Sequence, residues 1–369
     1  MDPKISDISE ENDIYKFTLS NLNVSLANAL RRTILTDIPL VVIPTETHEE
    51  NKCNIEINTC RLHNEILKQR LSCIPIHIDF DQIEDLPNNY VLEVHKKNET
   101  DNIIFVTTED FILRHKVSKI PLSPTQMKAI FPPDKITQRF IDFCRLRPKI
   151  SDTILGEEIK FTAEFSIGTA KKNSMFNAVS KCAYGNTPDL TLIDKVWKEK
   201  EQKLKSDDVS KEDIEFAKKN FYLLDAERYF KEDSFDFVIK SVGVYENKFI
   251  SKISAKILYE KFKDMVDLLE QKQVDILKSE TTMMNCFDIH LDNEDYTIGK
   301  VIEYYLYSEY YLNKKTLSFN GFKKMHPHDS YSVLRMAFKE KAEKSDVEEY
   351  LKNACGMAKL FFEKLYSIL

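Results

Sequence analysis

The stretch that decides the fold is LSNLNVSLANAL at residues 19–30, because its pattern recurs as LDNEDYTIGKVI at residues 291–302. Each copy has the end of an apolar strand, a turn built around Asn21 or Asn293, and a helix whose apolar positions are in register. This similarity indicates an internal duplication, and coincidence between two ordinary strand–helix pairs is the alternative. Two related units of this kind can bury their apolar faces against each other.

A second pair of segments extends the repeat. SFDFVI at residues 234–239 and SYSVLR at residues 330–335 both have the pattern of a strand that precedes a long amphipathic helix. The periodicity predicts these helices over residues 250–277 and 346–369. The predicted fold class is therefore α+β, with two related helix-on-antiparallel-sheet units in one chain. A mainly β insert domain interrupts the first unit.

The predicted insert has short apolar runs punctuated by Asn, Asp and Pro, a pattern typical of strands joined by turns. Its strands are expected at residues 54–57, 74–80, 90–94, 103–107 and 159–165. Residues 192–233 are instead dense in Lys, Glu and Asp, which indicates either a solvated helix or a segment that becomes ordered on contact. The expected domains are residues 1–40 with 166–278 as the first unit, 41–165 as the insert and 279–369 as the second unit, with a polar connection over 272–282.

Composition and charge exclude several classes of protein. The chain has 369 residues and a formal net charge of −7, so it gains little from counterion release and is not expected to bind nucleic acid directly. Its 7 glycines form no GxGxxG and no P-loop pattern, which argues against Rossmann and P-loop folds. The 7 scattered cysteines favour free thiols in a reducing compartment, and the apolar runs are too short to span a membrane. We therefore expect a soluble intracellular protein.

Two clusters contain potential metal ligands. An acidic cluster follows a predicted strand and consists of Asp79, Asp81, Glu84 and Asp85. Such carboxylates can hold Mg²⁺ or act in acid–base chemistry, and a solvated loop is the alternative. Possible zinc ligands in the insert are Cys53, Cys60, His63 and Cys73. Only the gap between Cys60 and His63 suits a structural zinc site, so free thiols are the favoured interpretation.

The apolar stripes of the predicted helices are too long to be covered one by one, so we expect them to pack together in an internal seam. The seam residues are Leu26, Ile34, Ile257, Phe262, Ile298, Leu306, Leu351, Phe361 and Leu365. Next to the first stripe, Arg31 and Arg32 offer two guanidinium groups suited to bidentate contacts with carboxylates of a partner. The alternative is a pair of surface arginines whose stems cover apolar neighbours.

The arginine pair belongs to a motif that resembles a known family. NALRRTIL at residues 28–35, followed by Ile38 and Pro39, resembles the alpha-like assembly subunits of multi-subunit DNA-directed RNA polymerases. These are the bacterial alpha subunit, archaeal D and the third subunit of polymerase II. IEINTC at residues 55–60 and QRLSCIPI at residues 69–76 are similar to motifs of that third subunit.

The end of the chain resembles a different subunit. LDNEDYTIG at residues 291–299 and FNGFKKMHP at residues 319–327 are similar to the small partner of the third subunit, which is the eleventh subunit of polymerase II or archaeal L. This likeness implies that the HPHD segment at residues 326–329 is a structural turn rather than a metal site. Two subunits that are normally separate would then be joined in one chain.

The resemblance implies a non-catalytic assembly platform with the third- and eleventh-subunit roles of a DNA-directed RNA polymerase. Its implied partners are the largest and second-largest subunits, which hold the Mg²⁺ and the nucleotides, together with small assembly subunits. No cofactor, membrane contact or homodimer is implied. The residues that match subunit-interface positions of the family are Asn28, Leu30, Arg31, Arg32, Arg70 and Lys171.

The chain departs from the family between Phe80 and Tyr90, where the family has a four-cysteine zinc loop and this chain has no cysteine. No metal is therefore expected. The joined subunits resemble fusions in large DNA viruses of eukaryotes, which implies a location in the host cytoplasm and in the virion. Two further hypotheses remain open, an unrelated intracellular interaction scaffold and a metal hydrolase built on Asp79 and Asp81.

Overall fold

The computed structural model of the chain describes residues 2–151, 153–279 and 283–369. Over these residues the strands are β1 (Lys4–Glu11), β2 (Ile14–Ser20), β3 (Leu40–Val42), β4 (Cys53–Asn58), β5 (Tyr90–Lys97), β6 (Ile104–Thr107), β7 (Ile112–His115), β8 (Asp142–Leu146), β9 (Glu158–Glu164), β10 (Ser166–Gly168), β11 (Val179–Pro188), β12 (Phe230–Ser241), β13 (Asp275–Lys278), β14 (Cys286–Asp292), β15 (Leu317–Lys323) and β16 (Tyr331–Phe338). The α-helices are α1 (Val24–Thr36), α2 (Asn64–Ser72), α3 (Asp85–Asn89), α4 (Pro124–Ile130), α5 (Leu190–Ser206), α6 (Lys211–Leu223), α7 (Asn247–Glu270), α8 (Tyr296–Leu306) and α9 (Lys344–Ile368). None of the helices in these ranges is long and apolar enough to cross a lipid bilayer.

The described residues form two compact units. The first comprises the described parts of Met1–Thr33, Lys181–Lys240 and Ser251–Leu369. The second comprises those of Ile34–Ser180 and Ser241–Ile250. The sequence analysis divides the chain differently, into three domains. That division stays a prediction.

Two four-stranded sheets make up the first unit, with the strand orders β1–β2–β12–β11 and β13–β14–β16–β15. Each sheet belongs to one repeat. Along the chain, a repeat consists of two strands, a helix, two more strands and a long helix. The elements β1, β2, α1, β11, β12 and α7 thus correspond to β13, β14, α8, β15, β16 and α9. Equivalent strands occupy equivalent places, and neighbours such as β2 and β12 or β14 and β16 are antiparallel. The predicted α+β class, with two related units and an interrupted first unit, is confirmed.

The turn after the second strand of each repeat has the same main-chain geometry. Asn21 and Asn293 both lie in the left-handed region, with φ of 63° and 57°. Asparagine adopts this conformation more readily than most residues because its short polar side chain can bond to nearby main-chain groups. Two residues later, the side chains of Asn23 and Asp295 cap α1 and α8 by accepting a main-chain N–H at 2.9 and 2.8 Å. The repeated motif therefore marks two equivalent strand-to-helix turns.

The long helix of the first repeat ends earlier than its periodicity predicts. The helix expected over residues 250–277 is observed as α7, after which the chain forms the edge strand β13. Lys272 has a φ of 56°, and its N–H and the next one donate back to carbonyls in the last turn of α7. This left-handed cap closes the helix, so Ile276 is buried from a strand and the helical prediction was wrong there. Part of the predicted connection over residues 272–282 lies outside the described residues.

The charged segment at residues 192–233 is more ordered than its composition indicates. It folds mostly as α5 and α6, which pack around a small core of their own in the first unit. The residues of this core are Ile193, Trp197, Phe221 and Ala226. These few apolar side chains join two otherwise solvated helices, and they are easily overlooked in sequence among the surrounding Lys and Glu residues.

The second unit contains the largely β insert. Its sheets have the strand orders β4–β9–β5–β7, β6–β8 and β10–β3. Four of the predicted strands are present as β4, β5, β6 and β9, whereas the strand expected at residues 74–80 is wrong. Ile74 and Ile76 are buried from a loop, because Pro75 between them has no N–H to donate to a strand ladder. The core of the insert includes Leu67 and Leu71 of α2 together with Phe111, Phe143 and Phe161.

Candidate functional site: an internal helix seam and the arginines beside it

Helices α7 and α9 pack against each other inside the first unit. Their contacts join Lys252 to the Tyr366 ring at 5.0 Å, Lys359 to the Tyr259 ring at 5.6 Å, Phe262 to Phe362 at 5.7 Å and Glu270 to Lys352 at 2.5 Å. Residue numbers rise along α7 as they fall along α9, so the helices are antiparallel. Because one of these helices comes from each repeat, the contact joins the two repeats of the chain.

The residues predicted to form the seam are withdrawn from solvent. The buried members are Leu26, Ile34, Phe262, Ile298, Leu306, Leu351, Phe361 and Leu365, while Ile257 is half-buried. Burial of one such side chain contributes about 1.5–3 kcal/mol relative to its exposure. Phe262 lies at the centre of the contact between α7 and α9, with its ring nearly parallel to that of Phe362 at 8°. Burial of these apolar helix faces therefore stabilises the folded chain.

Arg32 of α1 makes an internal contact with the second repeat. Its Nη2 donates to Asp295 Oδ2 and its Nε to Thr297 Oγ1, both at 2.8 Å. Asp295 is the N-cap of α8, so the guanidinium holds the helix of the first repeat at the start of the equivalent helix of the second. The Arg32 and Asp295 side chains are 32% and 28% exposed, so the ion pair is partly shielded from water.

The Asp295 carboxylate is held in its charged form. Burial raises its pKa, but hydrogen bonds from Thr297 and the charge and hydrogen bond of Arg32 together outweigh burial and leave the pKa below its usual range. In sequence, the motif that contains Asp295 and Thr297 indicates a turn, a helix start and a likeness to the small partner subunit. No local pattern links it to Arg32, because the two residues of the ion pair are 263 positions apart.

Arg31 is placed differently from its neighbour. Its Nε and Nη2 donate to the Oδ1 atom of Asn28 at 3.1 and 2.9 Å, one turn earlier on α1. Within the described ranges it forms no ion pair, and its side chain is half-buried. Leu30, which lies between Asn28 and Arg31 in sequence, is fully buried. It therefore lies in the core rather than on a surface that a partner could reach. Arg31 therefore has a fixed orientation and an unneutralised charge.

The two remaining predicted interface residues lie in the second unit. Arg70 is exposed, and its Nε and Nη2 donate to the carbonyls of Phe143 and Asp142 at 2.8 and 2.6 Å. Lys171 is also exposed, and its main-chain N–H donates to the Thr36 carbonyl at 2.8 Å. Carbonyl partners orient the Arg70 guanidinium but do not neutralise it.

The potential zinc ligands of the insert have separate environments. Cys53 is buried in β4, where burial raises the pKa of its thiol to about 11, and Cys73 is exposed. The Cys60 thiol lies 2.9 Å from Asn58 Oδ1, and His63 pairs with the Glu65 carboxylate. Among the described residues, no three His, Cys, Asp or Glu side chains are grouped as a metal site would require.

The acidic cluster and the histidine segment lie at two separate places. Asp79, Asp81 and Asp85 of the acidic cluster lie on the wall of an open cavity of about 750 Å³ in the second unit. At residues 326–329 the His326 N–H donates to the Asp329 carboxylate at 2.9 Å, which confirms the predicted hydrogen-bonded turn.

The two related antiparallel sheets of the first unit thus pack together through their long helices. The sequence profile of the RNA polymerase Rpb3/Rpb11 dimerisation domain matches residues 16–262. The chain belongs to this family. The matched region begins in β2 and ends in α7, so it covers most of the first repeat with its insertions and stops before the second repeat.

Individual relatives are polymerase subunits. The chain is 27% identical to DNA-directed RNA polymerases I and III subunit RPAC1 of Homo sapiens over 218 residues, which cover 53% of this chain and 57% of that protein. It is 26% identical to DNA-directed RNA polymerase subunit Rpo3 of Methanobrevibacter smithii over 261 residues, which cover 66% and 85%. The chain therefore spans a little over half the length of the human protein and most of the archaeal one.

Proposed function

We propose that this chain is a non-catalytic assembly subunit of a DNA-directed RNA polymerase and that it combines the third-subunit and eleventh-subunit roles. The observation that carries the proposal is the second copy of the dimerisation unit, packed against the first through α7 and α9. A dimerisation domain needs a partner, and here the partner follows in the same chain. The link between the copies raises the effective concentration of the second unit to about the millimolar range.

The identity of the second repeat rests on its topology and on its motif. The profile match ends at residue 262, so it does not extend to this repeat. The second repeat nevertheless has the same order of strands and helices, the same left-handed asparagine and the same type of helix cap as the first. These shared features support its assignment as the small partner subunit.

The proposed external contacts use the surface of α1. Arg31, oriented by Asn28 and without an ion pair in the described ranges, is suited to a carboxylate on the second-largest subunit. Arg32 lies beside it, and Leu30 holds this part of the helix in the core. Arg70 and Lys171 are proposed to make further subunit contacts. In this assembly the chemistry belongs to the two large subunits.

The origin of the chain is a further part of the proposal. A fused pair of assembly subunits and a composition rich in Lys, Asn and Ile fit a large DNA virus of eukaryotes. Such a polymerase would act in the host cytoplasm and be packaged in the virion. Mass spectrometry of purified particles would detect the chain together with the large polymerase subunits, and its absence from particles that contain those subunits would contradict this part.

Co-purification tests the proposed role. The full chain would be expressed with the two large polymerase subunits encoded in the same genome, and the complex isolated through a tag on the second-largest subunit. We expect one copy of the chain per complex and no separate eleventh-subunit-like protein. Purification of the large subunits without the chain would favour the unrelated interaction scaffold.

Substitution of Arg31 tests whether α1 makes the proposed contact with the second-largest subunit. Loss of one partner of a buried Arg–carboxylate pair typically costs about 2–5 kcal/mol, so Arg31→Ala should weaken recovery of the complex strongly. Lys203→Ala in the exposed face of α5 is the matched control and should leave recovery unchanged. Full recovery of Arg31→Ala would contradict the proposed use of α1.

A further inference from the structure

Four of the ten arginines in the chain line one cavity of about 590 Å³ in the second unit. They are Arg61, Arg70, Arg145 and Arg147. The cavity lies between the turn that precedes α2 and the two-stranded ribbon formed by β6 and β8. Arginine is the rarer cation in this chain, which has 43 lysines, so its concentration at one cavity favours a site that needs planar, bidentate donors.

The positive charge of the cavity is only partly neutralised. Arg147 pairs with the buried Glu157 carboxylate at 2.6 Å, and Arg70 is held by main-chain carbonyls. Arg145 lies over the Phe105 ring at 4.9 Å from its centroid, which orients the guanidinium without neutralising it. Neither Arg61 nor Arg145 forms an ion pair in the described parts of the chain. Asp142 is the other carboxylate in the wall, so the cavity keeps a net positive charge.

The outward face of the β6–β8 ribbon is apolar between these arginines. Side chains alternate along the ribbon, and Val106 and Leu146 are buried in the core of the insert. On the other face, Phe105 lies opposite Arg145 in the strand register and is 42% exposed. Ile103, just before β6, is 56% exposed and lines the cavity. Bulky apolar side chains therefore remain in water next to guanidinium groups that pair with no carboxylate among the residues that the structure describes.

We propose that this cavity binds a segment of a partner protein in which Asp or Glu residues flank a bulky apolar side chain. The apolar side chain enters the cavity beside Ile103, and the carboxylates bind Arg61 and Arg145 with bidentate hydrogen bonds. RNA is a poorer fit, because phosphates bind along extended basic surfaces, whereas this site has an apolar floor in an acidic chain. The carboxylates are assigned to Arg61 and Arg145, which are not among the residues proposed to contact the polymerase subunits, so the two proposals can fail separately.

Selection from a phage-displayed library of random dodecapeptides on the immobilised full chain tests the proposal. We expect enrichment of peptides with Asp or Glu beside Leu, Ile or Phe. A fluorescein-labelled synthetic copy of an enriched peptide should lose at least about tenfold in affinity when Arg61→Ala and Arg145→Ala are combined, since both charge-assisted contacts are then lost. Both residues are exposed, so the variant should keep the thermal midpoint of the wild type.

Matched controls separate this site from general charge attraction. Arg139→Ala combined with Lys128→Ala removes the same charge from exposed positions outside the cavity and should leave peptide affinity unchanged. Replacement of the acidic residues of the peptide by their amides, or of its apolar residue by Ser, should each abolish binding. Equal losses in both protein variants, peptides without an acidic and apolar consensus, or displacement of the peptide by equimolar oligouridylate would each overturn the proposal.

Discussion

The two repeats of the first unit share an order of strands and helices but differ in the loops that connect them. In the second repeat, α8 is joined to β15 by residues 307–316 and β15 to β16 by residues 324–330. In the first repeat, the same two connections carry residues 37–178 and 189–229. The first connection thus holds the insert, and the second holds helices α5 and α6 with their own core around Trp197.

This difference shows where the dimerisation unit accepts new structure. The entropic cost of closing a loop grows slowly with its length, so long additions at surface connections are tolerated if they fold by themselves. The paired strands and packed helices carry no such additions in either repeat. The second repeat is thus close to the minimal unit, and the first adds the surfaces that it lacks, including the arginine-lined cavity.

The strongest way to break the pairing of the repeats is a charge at a buried position of the predicted seam. Phe361→Asp places an unpaired carboxylate at a position that is 3% exposed, and we expect a loss of about 4 kcal/mol or more, seen as aggregation or a lowered thermal midpoint. Lys203→Asp introduces the same side chain at an exposed site of α5 and should leave the midpoint unchanged. An unchanged midpoint for Phe361→Asp would mean that α9 is not essential to the packed state.

A pair of glycine substitutions sharpens the comparison within the second repeat. A Cβ added at Gly299 of α8 would lie 2.0 Å from the Phe322 ring, whereas one added at Gly356 of α9 would meet no atom within 4 Å. Gly299→Ala should therefore destabilise the chain by about 1–3 kcal/mol, because Phe322 must move. Gly356→Ala should stabilise it by about 0.5–1 kcal/mol through helix propensity. Urea unfolding measures both, and equal effects would refute the close packing of α8 on β15.

A double-mutant cycle tests the ion pair that joins α1 to α8. Arg32→Ala and Asp295→Asn should show a coupling of about 1–2 kcal/mol at pH 7, measured by urea unfolding. The pKa of Asp295 is lower in the folded chain, so its contribution is present above about pH 4 and is lost as the pH falls through the folded value. The coupling should thus vanish at low pH. A coupling that is independent of pH would assign the effect to packing.

The smallest predicted effect concerns a buried hydroxyl. Thr33 Oγ1 on α1 is buried without a hydrogen-bond partner in the described structure. Thr33→Val removes this hydroxyl at nearly constant volume, and we expect a gain of about 1 kcal/mol in thermal stability measurements. Thr297→Val is the control, because its hydroxyl accepts from Arg32 and its loss should be destabilising. Destabilisation by Thr33→Val would indicate that the hydroxyl has a partner in solution.

Local patterns predicted much of the fold because they report on short-range geometry. The turns at Asn21 and Asn293 and the apolar stripes of α1 and α9 were predicted, since turn residues and helix periods depend on neighbours in sequence. The strand after Lys272 was missed, because a left-handed cap on a non-glycine residue has no clear sequence signal. The helices of the charged segment were only partly predicted, because their core has few members.

The sequence by itself determined the repeat, the helices with their apolar faces and the family motif, because each is a property of adjacent or periodically spaced residues. Only the tertiary structure decided which charged groups meet. In the folded chain Arg32 pairs with the Asp295 carboxylate, whereas Arg31 donates to the Asn28 amide oxygen. Arg61 and Arg145, which are far apart in sequence, line one cavity. The physical reason is that an ion pair depends on the distance between side chains in space, which sequence separation does not encode.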